Sequence, residues 1–340
     1  MAQAISSPIS SQGGLLPDYH PTGDFFVCDV FDAVPKDDLA TMEHPILSLS
    51  TRPDRRILNY SHNDVDITVV PSVKGLATIH DKDILIYCIS QLMAAMNTGR
   101  KISRTLTLKA HDLLVAVNRE TSGDAYRRLR EAFERLAGTR ITTNIVTGDH
   151  ETTAGFGLIE SWQIVRKTRG GRMVSVAVTL SDWLFRAVKA QTVLTLHRDY
   201  FRLRKPLERR IYELTRKHCG RQSEWTATID TLLKKSGSNS PRRVFRKMIR
   251  DMIEADTLPD YAMEEVPGDK IRFTLRDAVV EGPVPNPSAR ALDQARMVAP
   301  GMDIYALVAD WQDFWARTGR QKLRSADAAF LGFVKQQSRN

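Results

Sequence analysis

The feature that most constrains the fold is an internal repeat. Sliding the chain against itself by 119 residues sets Leu113-Leu114 on Leu232-Leu233, Tyr126 on Phe245, Arg127-Arg128 on Arg246-Lys247, Leu129 on Met248 and Phe133 on Met252 without a gap. Apolar meets apolar throughout, and a basic pair meets a basic pair. Two copies of one supersecondary unit are therefore expected, and 340 residues exceed what one hydrophobic core usually organises.

Hydrophobic periodicity places the first helix at Asp81 to Met96. There Ile84, Leu85, Cys88, Ile89, Leu92 and Met96 recur at three and four, and Asp81 and Asp83 suit the positive end of the helix dipole. A β-like run (Arg104 to Leu108), a short helix (Ala110 to Val117) and a third helix (Asp124 to Gly138) follow. Alternating strands from Arg140 to Val146 and Phe156 to Val165 then flank a polar tip, Thr147 to Thr153. The second half repeats the pattern with helix Pro206 to His218, strand Glu224 to Thr228, helix Ile229 to Lys235, a Ser/Gly/Asn turn (Ser236 to Ser240), helix Pro241 to Ala255 and a hairpin closing with Lys270 to Leu275. Helix, strand, helix, helix, hairpin is the order of a winged helix-turn-helix. The expected fold class is α+β, with two tandem winged-helix (winged helix-turn-helix) domains and a helical C-terminal tail.

Residues 1–23, rich in Ser, Gly and Pro without periodicity, read as a disordered arm. The first winged-helix domain is placed at 24–190 and the second at 191–281. Residues 282–340 read as a linker, Gly282-Pro283-Val284-Pro285-Asn286-Pro287, followed by C-terminal helices. In that tail Ile304, Leu307, Val308, Trp311, Phe314 and Trp315 share one face, expected to dock on the second domain, and Ala328, Phe330, Phe333 and Val334 mark a last short helix. No run of 18 apolar residues occurs and no basic region precedes an apolar run at the start, so a cytoplasmic protein without a membrane partner is expected. Cys28, Cys88 and Cys219 are too few and too scattered for a disulfide scaffold or a CxxC zinc pair.

The charge is +9, from 49 Lys and Arg against 40 Asp and Glu, and it is unevenly spread. Between His197 and Arg276 stand 19 basic and 12 acidic residues, a balance of +7, which favours an anionic partner. The third helix of each unit is the candidate for the major groove. With Phe245 turned inward, Val244, Met248 and Met252 share its face, and Arg243, Arg246, Lys247 and Arg250 occupy the opposite one with Glu254 as their only acid. Cations without alternating acids point to DNA rather than to helix-stabilising pairs. The corresponding face of the first unit carries Arg127, Arg128 and Arg135, interrupted by Glu131 and Glu134, and is compatible with either DNA contact or an ordinary solvated surface. Phosphate contacts are expected from Arg166, Lys167, Arg169 and Arg172 around the Gly170-Gly171 turn, and from Lys270 and Arg272 on the second wing.

Signs of catalysis are missing from the sequence. There is no GxxxxGK[ST] loop for a nucleotide, no HxH pair with a tyrosine for strand nicking and no HExxH for zinc. Asp64-Val65-Asp66 is the one pattern that could hold magnesium, as a primase or nuclease would require, and it lacks a third carboxylate in register. The expectation is a protein that is not an enzyme and uses no cofactor and no metal.

The wording of several runs is specific. EHPILSLS (Glu43 to Ser50), SVKGLATIHDKDILIYCISQLM (Ser72 to Met93), GTRITTNIVTG (Gly138 to Gly148), SWQIVRKTRGGRMVSV (Ser161 to Val176) and DYFRLRKPLERRIYELTRKHCG (Asp199 to Gly220) closely resemble the plasmid replication initiator protein A family of proteobacteria. The resemblance runs from about Phe25 to Arg276 and, more loosely, through WQDFWARTG and AAFLGF in the tail. It implies a plasmid replication initiator without intrinsic enzyme activity that binds double-stranded origin DNA and recruits host replication initiator or helicase proteins. By analogy with repeat-binding initiators it also implies a possible homodimer, with the first unit as the better dimer surface. The residues assigned to DNA rest on the helical-face argument alone. A transcriptional regulator with no replication role is the alternative reading.

Overall fold

The computed structural model describes residues 15–20, 28–29, 45–62, 65–97, 100–147, 150–166, 173–189, 193–219, 222–276, 285–299, 302–317 and 325–337. In chain order its elements begin with β1 (Cys28–Asp29), β2 (Leu58–His62), β3 (Val65–Val70), α1 (Lys82–Asn97), β4 (Thr105–Leu108), α2 (Ala110–Ala116) and α3 (Gly123–Gly138). They continue with β5 (Arg140–Thr147), β6 (His150–Gly157), β7 (Ile159–Arg166), β8 (Met173–Leu180), α4 (Asp182–Lys189), β9 (Leu194–Thr195) and a 3-10 turn (Arg198–Arg202). Then come α5 (Pro206–Cys219), β10 (Glu224–Thr228), α6 (Ile229–Ser236), α7 (Arg242–Ala255), β11 (Tyr261–Val266) and β12 (Lys270–Leu275), followed by α8 (Ala289–Val298), α9 (Ile304–Arg317) and α10 (Ala326–Gln337). The class is α+β with antiparallel pairing in every named sheet.

The two halves share one topology. In the second, α5, β10, α6, α7, β11 and β12 succeed one another and the sheet order is β10-β12-β11, so the first strand pairs with the last. In the first, α1, β4, α2 and α3 are followed by β7 and β8 with the order β4-β8-β7. The difference is an inserted hairpin, β5-β6, which leaves this pattern and joins β2 and β3 in a separate sheet of order β2-β3-β5-β6. That insertion corrects the sequence reading of one strand from Phe156 to Val165. The chain bends at the buried Leu158, β6 pairs with β5 and β7 pairs with β8. Alternation of apolar residues continues across the bend, because both strands face the core, so periodicity could not mark the break. β2, β3 and α4 were not anticipated.

Met1–Arg276 forms one compact unit and Asp277–Asn340 another. Within the first, one continuous core runs from Ile46 to Phe273 through both halves. At its centre lies α1, whose Ile84, Leu85, Ile86, Cys88 and Ile89 are at most 1% exposed. A helix apolar on every side is a buried one. The Cys88 thiol, pushed up to about 12 by burial, is a packing group, and Cys219 is likewise buried and free. Part of the expected disordered arm is fastened to this unit. The Leu16 amide donates to Arg202 O (2.9 Å), the Tyr19 amide to Asn118 Oδ1 (2.8 Å) and Asn118 Nδ2 to Pro17 O (3.0 Å). Backbone pairing of this kind needs no local periodicity.

Buried charges join the halves. Lys82 and Asp83 open α1, and Arg209 and Glu213 lie on α5; all four are under 5% exposed. Lys82 Nζ stands 2.9 Å from Glu213 Oε1, and Arg209 Nη1 donates to Asp83 Oδ1 at 2.5 Å. Arg209 also donates to the carbonyls of Leu203 and Phe201, Tyr200 donates to Glu213 (2.6 Å), and Arg119 adds a second cation to Asp83 (2.8 Å).

In the C-terminal unit the apolar face of α9 is used internally. Trp311, 3% exposed, meets Phe330 of α10 edge-on at 5.5 Å, and Ala291 and Ala295 of α8 complete the core. The face expected to dock on the second domain packs within a helical unit that includes α8, which the sequence reading had left unassigned. Ser288 caps α8 and ties it to Asp327 by two hydrogen bonds of 2.7 and 2.6 Å. Among the described residues no helix is long and apolar enough to cross a membrane.

Two predictions follow from the buried charges. Asp83→Asn leaves Arg209 buried without its anionic partner and should lower unfolding free energy by about 3–5 kcal/mol in urea denaturation; a change below about 1 kcal/mol would show the pair to be dispensable. The second concerns His80, whose pKa burial and then the Arg209 charge lower from 6.5 to about 4. The unfolded chain takes up this proton near pH 6.5 and the folded one only near pH 4, so the contribution is complete above 6.5 and is lost as pH falls through that window. Its size is on the order of 3 kcal/mol. His80→Gln should flatten stability between pH 6.5 and 4 relative to the parent, and parallel profiles would refute the assignment.

Candidate nucleic-acid interface

Helix α7 begins after Pro241, where a missing amide costs nothing, and ends at Asp256 in the left-handed region. Phe245, Ile249 and Met252 are buried. Val244, expected on that face, is 47% exposed and Ile249 takes its place. At about 100° per residue Ile249 falls about 40° from Phe245, whereas Val244 falls about 100° away. Arg243, Lys247 and Arg250 lie opposite and are exposed, while Arg246 lies at the flank and is part-buried.

Three cations of α7, Arg242, Arg246 and Arg250, have acidic partners that the helix itself does not supply. Arg246 chelates Asp269 through bonds of 3.0, 2.7 and 2.7 Å, and Arg242 reaches both Asp269 and Asp230 (2.5 Å). Arg250 binds Glu265 through two bonds of 2.8 Å. Lys247 pairs with Asp251 one turn on at 3.5 Å, and Arg243 has no ion-pair partner among the described residues. Arg246 holds the Asp269 carboxyl below the usual range, and Arg250 does the same for Glu265. Asp269 sits at φ 58 beside Gly268 at φ 85, the turn between β11 and β12. The hairpin therefore folds back so that its carboxylates fix the guanidinium planes of the helix. Sequence reading missed this because the acids lie some 15 to 27 residues away from their partners.

In the first half, α3 starts at Ser122, whose hydroxyl accepts from the Ala125 amide, and packs Phe133 on Trp162 of β7 at 5.8 Å. Arg127 and Arg128 are exposed, both on Asp124, with Arg127 also 3.2 Å from Glu131. Arg135 departs from the expected outward face. It is turned onto Asp81 ahead of α1 by bonds of 2.7 and 2.8 Å and is only 20% exposed.

On the second hairpin Lys270 is exposed at the start of β12, and Arg272 lies between Glu264 (3.0 Å) and Glu224 (3.8 Å). Arg166 closes β7, and Lys167, Arg169 and Arg172 lie outside the described residues. Of the pattern considered for a metal, Asp64 lies outside the described residues and Asp66 is exposed on β3.

The two halves share one arrangement of strands, and in the second the carboxylates of the hairpin brace the basic helix α7. The sequence profile named Replication initiator protein A matches residues 36–263, and the chain belongs to that family. A replication protein of Wigglesworthia glossinidia brevipalpis is 37% identical over 242 residues, covering 70% of this chain and 88% of its own. Among solved structures, the selenomethionine crystal structure of domains 2 and 3 of RctB is similar in fold, with TM-score 0.52 and 14% identity over 69% of this chain and 96% of the RctB chain. The family assigns the chain a role in replication initiation.

Proposed function

We propose that this initiator binds the double-stranded origin of its own plasmid sequence-specifically, through two winged helix-turn-helix units at 24–190 and 191–281. The observation that carries this reading is the repeated topology: in each half a strand, two helices and a later hairpin succeed one another, and the first strand pairs with the last strand of that hairpin (β4 with β8, β10 with β12), the order of a winged helix-turn-helix. Phosphate neutralisation supplies general affinity, and α7, with α3 as its weaker counterpart, selects the site. The pairing of Arg246 and Arg250 with hairpin carboxylates supports the assignment, because an arginine whose plane is already fixed loses less side-chain freedom when it meets a base edge. The protein acts in the cytoplasm, without catalysis or cofactor, recruits host initiator or helicase proteins and dimerises through its first half.

The test is a salt-series titration on origin and scrambled duplexes, with circular dichroism as folding control. Replacing Arg243, Arg246 and Lys247 by alanine should nearly abolish origin binding, since a bidentate base contact is worth roughly 1–3 kcal/mol and each lost phosphate contact flattens the salt slope by about one unit. Replacing Arg127 and Arg128 should cost less, because α3 carries four cations against three acids from Asp124 to Arg135 whereas α7 and its preceding proline carry five against two. The opposite ranking would move the main reading helix to the first half. Supercoiled origin DNA incubated with the protein, magnesium and ATP should stay intact, and nicking that one tyrosine substitution abolishes would overturn the noncatalytic reading.

A further inference from the structure

We propose that the loop 51–56, with Lys74 beside it, is a phosphate-contacting site for duplex DNA that is separate from α3, α7 and the hairpins that follow them. The proposal rests on the DNA-binding reading above. The loop reads Thr-Arg-Pro-Asp-Arg-Arg, three arginines and one acid. That acid is spent internally. Asp54, its side chain 5% exposed, accepts from Ser48 Oγ (2.8 Å) and from Arg56 Nε and Nη2 (2.8 and 2.6 Å), and Arg56 holds its carboxyl down at about 2.

The loop is fastened at both ends. The Leu76 amide donates to Asp54 O (2.7 Å), the Arg52 amide to Ser50 Oγ (3.1 Å), and the Ser50 amide to Ser48 Oγ (3.1 Å). Gly75, at φ +98, lies so near that a Cβ there would stand 3.0 Å from both Asp54 N and Asp54 O. On this braced loop Arg52 and Arg55 are exposed and have no ion-pair partner among the described residues. Lys74, 56% exposed on the adjoining turn, meets an acid among the described residues only at the 4.0 Å separation from Glu134. Three of the arginines of α7, by contrast, are already held by carboxylates.

Position argues for the same ligand. Residues flanking the loop reach the turn between α6 and α7: a Cβ on Gly237 would meet Pro45 at 2.3 Å and the Tyr60 hydroxyl at 3.3 Å. Arg56 and Arg210 both act on the Tyr60 hydroxyl from this neighbourhood. The segments that flank the loop on both sides thus meet the turn that leads into α7. Exposed Ile57 and Val73 stand nearby and would suit an acidic protein partner, but single aliphatics on a surface are ordinary, whereas a braced cation cluster without facing acids is not.

The experiment replaces Arg52, Arg55 and Lys74 together by glutamine in the full chain and repeats the salt titration on origin and scrambled duplexes. The affinity should fall about tenfold or more, by a similar factor on both DNAs, and the salt slope should drop by about two to three units. Arg52→Lys with Arg55→Lys should keep the slope, since a phosphate contact needs charge rather than a planar fork. If the parent binds origin DNA and the glutamine variant matches it in affinity and slope, the loop does not touch phosphate. A loss confined to origin DNA with the slope intact would also overturn the proposal, by making the loop a base reader. A parent that binds neither duplex would overturn the DNA-binding reading itself.

Discussion

Two ion pairs buried where α1 meets α5 hold the first compact unit in one arrangement. Lys82 and Asp83 come from one half of the repeat and Glu213 and Arg209 from the other, and none of the four has water to fall back on. Apolar contact alone tolerates sliding, because it is nearly non-directional. A guanidinium that must meet Asp83 and two backbone carbonyls at once does not. Burying such charges is costly, so the pairs contribute little net stability against an apolar core of equal volume, and their effect is to penalise every other juxtaposition of the halves. Arg119 and the neighbouring Arg135–Asp81 pair extend the constraint to the turn before α3 and to α3 itself.

The same residue type does different work at the surface. Arg246 and Arg250 are oriented by carboxylates of the hairpin, Arg127 and Arg128 share an acid of their own helix, and Arg52 and Arg55 stand unopposed on a braced loop. Exposed pairs of this kind add little to stability. What they set is direction, and with it how much of each side chain's freedom is already gone before an anion arrives. A net charge of +9 describes none of this, since it counts cations and not their partners.

Legibility in the sequence followed distance along the chain. Helices α1, α3, α5 and α7, strands β4 and β10, and the closing strand β12 were placed within a residue or two, because periodicity and caps are local signals. Strand β5 was also placed, but its partner β6, which begins at His150 inside the expected polar tip, the sheet the two form with β2 and β3, and α4 were not read, since an edge pairing leaves no mark on either strand's own pattern. Arg135 shows the same limit. Its spacing on α3 matched an outward face, and only the approach of Asp81, 54 residues earlier, turns it inward.

The sequence by itself determined the family, the repeated order of elements and the basic character of α7, because each is written in neighbouring residues or in long matching runs. Tertiary structure alone decided which cations are occupied and which are open, how the halves are locked together, and that the tail's aromatic face closes on its own helices. Those outcomes depend on carboxylates, carbonyls and apolar faces brought together from distant parts of the chain, and an ion pair or a packed face exists only once both sides are in place.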